Sequence, residues 1–418
     1  KLMDGMCAVP FLRWDAEADY VVGKALGAQQ VRFGGFMQDI ELWDNQLFGV
    51  ALGESLQTCP QQRILMKQAA RVVAAGSELA SSLKGSNRAT VVGICSAEYA
   101  GMLATVGAAM TPYTSLQGAL SVACGRISYT FGFIGPCVSI DTACSSSLVC
   151  THVASKFILD DQSESSVAAG VCLTLLAKNH VAFQVSGMLA PDGRCKTLDQ
   201  AGDGYVRAEA CGAIEIQGVL DELAMALVSG SAINQDGRSS SLTAPNGPSQ
   251  QSAIRTALES ASLGVEQYQQ LEMHGTGTSL GDPIEVGAAC AVLMPLKAKR
   301  GPLSLWAAKT AFGHSEGGAG IVGVVHAVTS ITHSQTFLVT NLRFMNPYVA
   351  DTVSIAKMTC APREDVAVVD CQSEDAHASG ISSFAFQGSN AHAILGTPEE
   401  QLSTHVMEQR VVFDQQSL

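Results

Sequence analysis

Ser139-Ile140-Asp141-Thr142-Ala143-Cys144-Ser145-Ser146-Ser147-Leu148 decides how this chain is read. A short β-rich run, Cys137 to Ile140, enters it, small hydroxyl residues fill its middle, and a helix-forming stretch from Ser145 to Leu159 leaves it. The pattern puts a thiol where a helix begins. There the unpaired N–H groups and the positive end of the macrodipole favour the thiolate, the form that attacks a thioester carbonyl, and help to hold an oxyanion. Taken alone, Cys144 has two equal readings, a nucleophile or one more buried cysteine among 13.

Working outward, β-branched runs alternate with longer Ala-rich segments, the pattern of an α/β protein with buried strands. Strands are predicted at 89–94, 137–140, 167–176, 212–217, 225–233, 271–273, 303–308 and 392–395. Helices are predicted at 60–75, 145–159, 249–260, 283–293 and 317–331. Pro191-Asp192-Gly193, Gln235-Asp236-Gly237 and Pro245-Asn246-Gly247 read as turns, where Gly or Asn takes a positive φ cheaply. Strand-loop-helix units carry Cys144 in the first half and His314 in the second, a hint of internal duplication. The Gln- and Glu-rich tail after Pro398 reads as a linker.

The 418 residues, 47% hydrophobic and 15% charged, suffice for a large core and argue against disorder. A formal charge of -13 argues against gripping nucleic acid or an anionic membrane through the whole surface. No stretch approaches the roughly 20 apolar residues of a membrane span; the best, Gly317 to Val328, is short and flanked by Glu316 and Thr329. The cysteines never form a C-x-x-C pair, so a reducing compartment is expected, cytoplasmic or another intracellular one, with no structural zinc. The chain opens at Lys1 and reads as a piece of something longer.

Two histidines stand in glycine-rich strand-to-helix turns that let the backbone approach a ligand closely. His274 lies in Glu272-Met273-His274-Gly275-Thr276-Gly277-Thr278, followed by Asp282-Pro283-Ile284-Glu285. His314 lies in Lys309-Thr310-Ala311-Phe312-Gly313-His314-Ser315-Glu316-Gly317-Gly318. The other seven, His152, His180, His326, His333, His377, His392 and His405, lack such surroundings and receive no role.

Asp141-Thr142-Ala143-Cys144-Ser145-Ser146-Ser147-Leu148 resembles the signature of β-ketoacyl synthases, specifically those of type I polyketide synthases. In the family's order it is joined by 126–129, by 187–196, by Asp203-Gly204-Tyr205-Val206-Arg207, by 234–239 and by 242–248. The resemblance runs from about Arg32 to Leu395. It implies a thiolase fold, two similar α/β halves stacked as five layers (α-β-α-β-α). The expected halves are 1–215, carrying Cys144, and 216–397, carrying both histidines, with a tail at 398–418. It also implies a decarboxylative Claisen condensation, in polyketide or fatty acid elongation. In that reaction Cys144 carries the acyl group, and His274 and His314 support decarboxylation of a malonyl-type extender by stabilising the enolate. Lys309 and Glu316 tune the field around His314; the plain alternative is a surface ion pair. Thr276 and Thr278 resemble the hydroxyls that bind a pantetheine arm. The N–H groups of Cys144 and Phe386 would form the oxyanion hole, and the Phe386 ring would gate the acyl pocket. Asp282 and Glu285 support the site or else cap the helix at Pro283. The resemblance further implies no metal and no cofactor of the domain's own. Phosphopantetheine would come from an acyl carrier partner, other synthase domains would flank this one, and the domain would be a homodimer.

The match departs from the family in places. Ala385 and Gln387 stand where glycines are usual, Ser389 where a threonine is, Ala311 where asparagine is, and Thr58-Cys59-Pro60 where Met-Asp-Pro is. The hydrophobic strand that opens the family core is not found in 1–30. Two rival readings remain. One is a non-elongating ketosynthase that binds or passes acyl chains, suggested by the altered Phe386 loop. The other is a serine hydrolase at Ser315, since Gly313-His314-Ser315-Glu316-Gly317 also fits G-x-S-x-G, with Asp351 and His377 or His392 as partners.

Overall fold

The structure, a computed structural model, describes residues 4–27, 31–75, 83–96, 98–218, 224–294, 302–333, 337–355, 358–359, 378–398 and 410–412. Two short strands come first, β1 (Cys7–Ala8) and β2 (Phe33–Gly34), and pair with each other. The large sheet follows: β3 (Arg88–Ile94), β4 (Cys137–Ile140), β5 (Ser165–Cys172), β6 (Ala210–Gln217), β7 (Ala226–Gln235), β8 (Tyr268–Glu272), β9 (Leu303–Trp306), β10 (Met358–Thr359), β11 (Ala378–Phe384), β12 (Ser389–Gly396) and β13 (Arg410–Val412). Its order is β10-β9-β8-β11-β12-β7-β13-β6-β5-β3-β4.

This order contains one pattern twice. β4, β3 and β5 run parallel and β6 returns antiparallel; β9, β8 and β11 run parallel and β12 returns antiparallel. The duplication hinted at by the sequence is thus a repeated topology. In the second copy β7 closes the group against β12. In the first copy no strand before β3 plays that part among the described residues, and the place beside β6 is taken by β13, paired at Glu215 to Gln217. β13 also pairs with β7 and so joins the two groups. β13, at 410–412, lies within the tail expected to be linker-like. The expected boundary at 215/216 also falls inside β6, which runs to Gln217.

Two helices lie between the groups, α1 (Ser146–Leu159) and α2 (Ala319–His333). They pack on each other, α1 against β3 and β5, α2 against β11 and β6. Such a helix is buried on all sides, which explains its composition: α1 hides Ser146 to Thr151 and α2 hides Ile321, Val324, Val325, Ala327 and Val328. The outer layers are Pro60–Ala75 and Ser121–Phe131 on the first group, and Gly247–Ala261 and Gly281–Leu293 on the second. The layers run α-β-α-β-α.

Small residues set how closely α1 is held. A methyl on Gly320 would lie 2.4 Å from the Leu148 nitrogen, one on Gly93 2.7 Å from the Ser147 nitrogen, and one on Gly170 2.4 Å from the Ser147 Cβ. All three glycines therefore clasp the first turn of α1. Ser147 Oγ adds a bond, accepting the Ile321 N–H at 2.9 Å.

Most predicted elements are present with shifted ends. β5 stops at Cys172 rather than 176, and β8 starts at Tyr268 rather than 271. β11 was not foreseen, because Ser379, Gly380, Ser382 and Ser383 carry no strand pattern; Gly380 is needed there because the Tyr268 ring lies against it. The helices Glu98–Thr105, Ser121–Phe131, Ala177–Val185 and Pro347–Ile355 were also missed.

Gly320→Ala is expected to cost about 1–3 kcal/mol through overpacking against α1. Gly287→Ala, where a methyl meets nothing, should be neutral or slightly stabilising. Urea unfolding of both variants checks this; equal stabilities would contradict the clasp.

Candidate active site

Cys144 sits in a single 3-10 turn, Ala143–Ser145, between β4 and α1. Each hydroxyl of the run has a task. Ser146 Oγ donates to the Ala143 carbonyl at 2.7 Å and accepts the Thr142 N–H at 2.9 Å, while Ser145 Oγ donates to the Thr142 carbonyl at 3.0 Å. Asp141 Oδ1 accepts the Ala143 N–H at 2.9 Å, which steadies Ala143 at a φ of 51°. From β11, Ser383 Oγ donates to the Cys144 carbonyl at 2.8 Å. The thiol is thereby fixed at the end of a strained turn.

The N–H groups of Cys144 and Phe386 both act to lower the Cys144 thiol. These are the two groups expected to form an oxyanion hole. One expectation fails. A helix N-terminus was expected to favour the thiolate, yet burial, with the Glu316 carboxylate second, pushes the Cys144 thiol up to about 12. Lys309 and the two N–H groups pull the other way and lose. In the free protein the sulfur is protonated.

His274 follows β8. Glu285, on the helix Gly281–Leu293, accepts its N–H at 2.6 Å and that of Gly275 at 2.9 Å. Asp282 accepts the N–H groups of Gly277 at 3.1 Å and Leu198 at 2.8 Å. These carboxylates were expected to support the site or else to cap their own helix; they hold the preceding turn, and the helix has no side-chain cap. Burial pushes Asp282 up to about 6 and raises Glu285 as well, with Asp282 adding to the Glu285 shift. Gly275 and Gly277 take φ values of 45° and 76°, as the turn requires. Thr276 and Thr278 touch through their hydroxyls at 3.3 Å and face the pocket.

His314 is clamped by the segment before β6: its N–H donates to the Val206 carbonyl at 2.8 Å and its carbonyl accepts the Ala208 N–H at 2.9 Å. The Glu316 N–H donates to His314 Nδ1 at 3.2 Å. With Nδ1 accepting, the ring proton belongs on Nε2, which is buried and has no partner among the described residues. The rings of His274 and His314 stand edge to face at 5.4 Å. Burial first, then the buried Lys309, holds both imidazoles well below their ordinary 6.5, so both are neutral at pH 7.

Glu316 was expected, with Lys309, to tune the field around His314, a surface ion pair being the plain alternative. Its carboxylate is instead bound by Arg207, at 2.6 and 3.1 Å, deep in the protein, so a surface ion pair is ruled out for it. Arg207 also reaches Glu98 at 3.7 Å. In the sequence Arg207 stands out only as part of a motif; a contact across 109 positions leaves no local signal. Ser383 was missed likewise. Cys144, His274, His314, Thr276, Thr278, Asp282, Glu285, Ala385 and Phe386 all line one cavity of about 380 Å³. Phe386 is half-exposed at its mouth. The triad proposed around Ser315 is not assembled with His392, whose nitrogens bond Tyr268 and Ser382 at 3.0 Å each. His377 and His405 lie outside the described residues. His326 is satisfied by Glu272 at 2.7 Å.

The beta-ketoacyl synthase N-terminal domain matches residues 2–256, and the C-terminal domain matches 225–343. The chain belongs to the beta-ketoacyl synthase family. It is 35% identical over 402 residues to one of the phenolphthiocerol/phthiocerol polyketide synthase proteins of Mycobacterium tuberculosis, covering 94% of this chain and 25% of that protein. It is equally identical over 402 residues to polyketide synthase GfsB of Streptomyces halstedii, covering 94% of this chain and 7% of that protein. This ketosynthase thus spans a quarter or less of those curated relatives. Among solved structures it resembles the ketosynthase from module 6 of the bacillaene synthase of Bacillus subtilis, with a TM-score of 0.82, 27% identity and coverage of 94% of this chain and 67% of that one. An oxazolomycin ketosynthase domain of Streptomyces albus gives 0.84, 28%, 94% and 71%. The fold is the thiolase fold of these ketosynthases, and the family is one of condensing acyltransferases.

Because the thiol is held high, alkylation of Cys144 by iodoacetamide should rise about tenfold per pH unit from about pH 7 to about pH 10 without levelling. Peptide mass spectrometry of the Cys144 adduct measures it. A plateau near neutral pH would show that the helix terminus wins after all.

Proposed function

We propose that this ketosynthase elongates polyketide chains by decarboxylative condensation, with Cys144, His274, His314 and Lys309 as its working residues. One observation carries the reading. A buried imidazole N–H without a partner among the described residues, His314 Nε2, lies in the wall of the cavity that holds His274, the Cys144 thiol and the N–H groups of Cys144 and Phe386.

The sulfur attacks the carbonyl of an acyl thioester, and the negative oxygen is met by the N–H groups of Cys144 and Phe386. The carrier thiol departs with the proton. A malonyl-type thioester then enters along Thr276 and Thr278. As carbon dioxide leaves, charge moves onto the thioester oxygen, where His274 and His314 donate hydrogen bonds. The carbanion attacks the acyl-enzyme and frees Cys144. Neutral imidazoles suit this task, since donation needs an N–H and no net charge. Burial, with Lys309 second, keeps both rings neutral, Arg207 holds Glu316, and Asp282 and Glu285 hold the turn under His274. The two halves expected at 1–215 and 216–397 act together in this reading, their boundary moved to follow Gln217 at the end of β6.

The acyl carrier protein or domain, bearing the phosphopantetheine arm, is the partner, and multidomain relatives support further synthase domains beside this one. A homodimer belongs to the same proposal: β4 ends the sheet, and Tyr129 and Ile134 stand exposed near it. A reducing intracellular compartment fits the free cysteines of the described residues. Among those residues no helix is long and apolar enough to cross a membrane.

Loading with an acyl thioester followed by malonyl-carrier protein, read by mass spectrometry, tests the reading. Wild type should become acylated and release a ketoacyl carrier product. Cys144→Ala should take no acyl group, and His274→Ala should load yet make at least about 100-fold less product. Loading without product in wild type would favour the non-elongating reading.

A further inference from the structure

His326 has no telling neighbours in the sequence, yet it stands on α2, the helix at which three parts of the site meet. The turn carrying His314 and Glu316 leads directly into α2, and Gly320 clasps α1 just behind Cys144. Gly323 then lies over the sheet: a methyl there would come within 3.4 Å of the Glu272 Cγ and 3.0 Å of the Ile381 Cγ2. His326, three residues on, faces the same way and meets the Glu272 Oε2 through Nδ1 at 2.7 Å. A carboxylate only accepts, so Nδ1 carries the proton. Phe337 stacks on the imidazole at 3.7 Å between centroids and Trp306 tilts toward it at 5.8 Å, which holds the ring in place.

Glu272 is the buried last residue of β8, and its other oxygen has a second task. The β8–β9 ladder ends at the Glu272–Trp306 pair, followed by one backbone bond from the Met273 N–H to the Trp306 carbonyl at 2.8 Å. Past that point one chain turns to His274 and the other runs on to Lys309. Glu272 Oε1 spans the two, accepting the Ala308 N–H at 2.7 Å. A single carboxylate thus links the residue two before His274 to the residue just before Lys309. Without the His326 N–H, one buried oxygen would lose this partner, and an acceptor stripped of its donor costs more than the bond itself yields. The carboxylate would be free to rotate toward another donor, loosening its hold on Ala308.

We infer, on the condensation reading above, that His326 is a positioning residue: through Glu272 it fixes the spacing of His274 and Lys309, and through α2 it ties both to His314 and Cys144. His326 does not line the cavity and touches no substrate. This role decides which step suffers. Acylation of Cys144 uses the N–H groups of Cys144 and Phe386, neither of which Glu272 holds. Decarboxylation uses His274 and His314 beside Lys309. Loss of the His326 N–H therefore slows the second step and spares the first, whereas a general loosening of the fold slows both.

Timing the two steps separately in the full chain tests this. Acylation of Cys144 by an acyl thioester is followed by intact mass spectrometry, then ketoacyl product after adding malonyl-carrier protein, for wild type, His326→Leu, His326→Asn and His326→Gln. Asn places an N–H near the position of Nδ1, Gln near that of Nε2. His326→Leu and His326→Gln should load within about threefold of wild type yet form product at least about tenfold more slowly, because small misplacements of reacting groups are costly. His326→Asn should restore product formation to within about threefold of wild type. Should His326→Leu fail to fold, the Asn and Gln pair decides alone. Equal product rates in the Asn and Gln variants, or loading and product falling together, would overturn this inference alone, as would the unfolding of all three variants, since the role would then be one of stability. Wild type that loads without product would overturn the condensation reading, and this inference with it.

Discussion

The close approach of α1 to its surroundings governs the rest of this molecule. Gly93 and Gly170 bring the first sheet group against the first turn of the helix, and Gly320 brings α2 against it from the other side. The helix start is thus held by backbone and small side chains rather than by long ones that could swing. Packing of this density transmits displacement, so the position of Cys144 is set by three glycines that never touch a substrate. The serines of the Cys144 motif complete the arrangement locally, each closing a bond that a bulkier residue would break.

Burial is the second organising force, and it acts in opposite senses on different groups. It keeps His274 and His314 uncharged, raises Asp282 and Glu285, and keeps the Cys144 sulfur protonated. Against that background the protein places fixed partners: Glu285 under the His274 turn, the Glu316 N–H on His314 Nδ1, and Arg207 on the Glu316 carboxylate. A buried ion pair such as Arg207–Glu316 is weak evidence for stability, since desolvation offsets most of its attraction. Its value here lies in geometry, because Glu316 sits at a φ of 43° beside His314.

Legibility in the sequence followed how local each feature is. Cys144, His274, His314, Thr276, Thr278 and Phe386 stand in contiguous motifs, and they converge on one cavity. The repeated topology was visible only as a faint parallel between two strand-loop-helix units, because strand pairing is a long-range property that composition does not record. β11 escaped because a fully buried strand of serines and glycine is shaped by its neighbours, notably Tyr268, rather than by β propensity. Arg207 and Ser383 escaped for the same reason. The thiol was misjudged because a helix terminus is easy to see in a sequence, whereas desolvation depends on everything packed around the sulfur.

That resting thiol acts as a safety catch. A sulfur kept protonated by its surroundings is a poor target for the stray electrophiles and oxidants of a cell. In the proposed reaction the thioester carbonyl would meet the same two N–H groups that act on this sulfur. Selectivity then begins before any acyl pocket is consulted, in the refusal of an idle site to react.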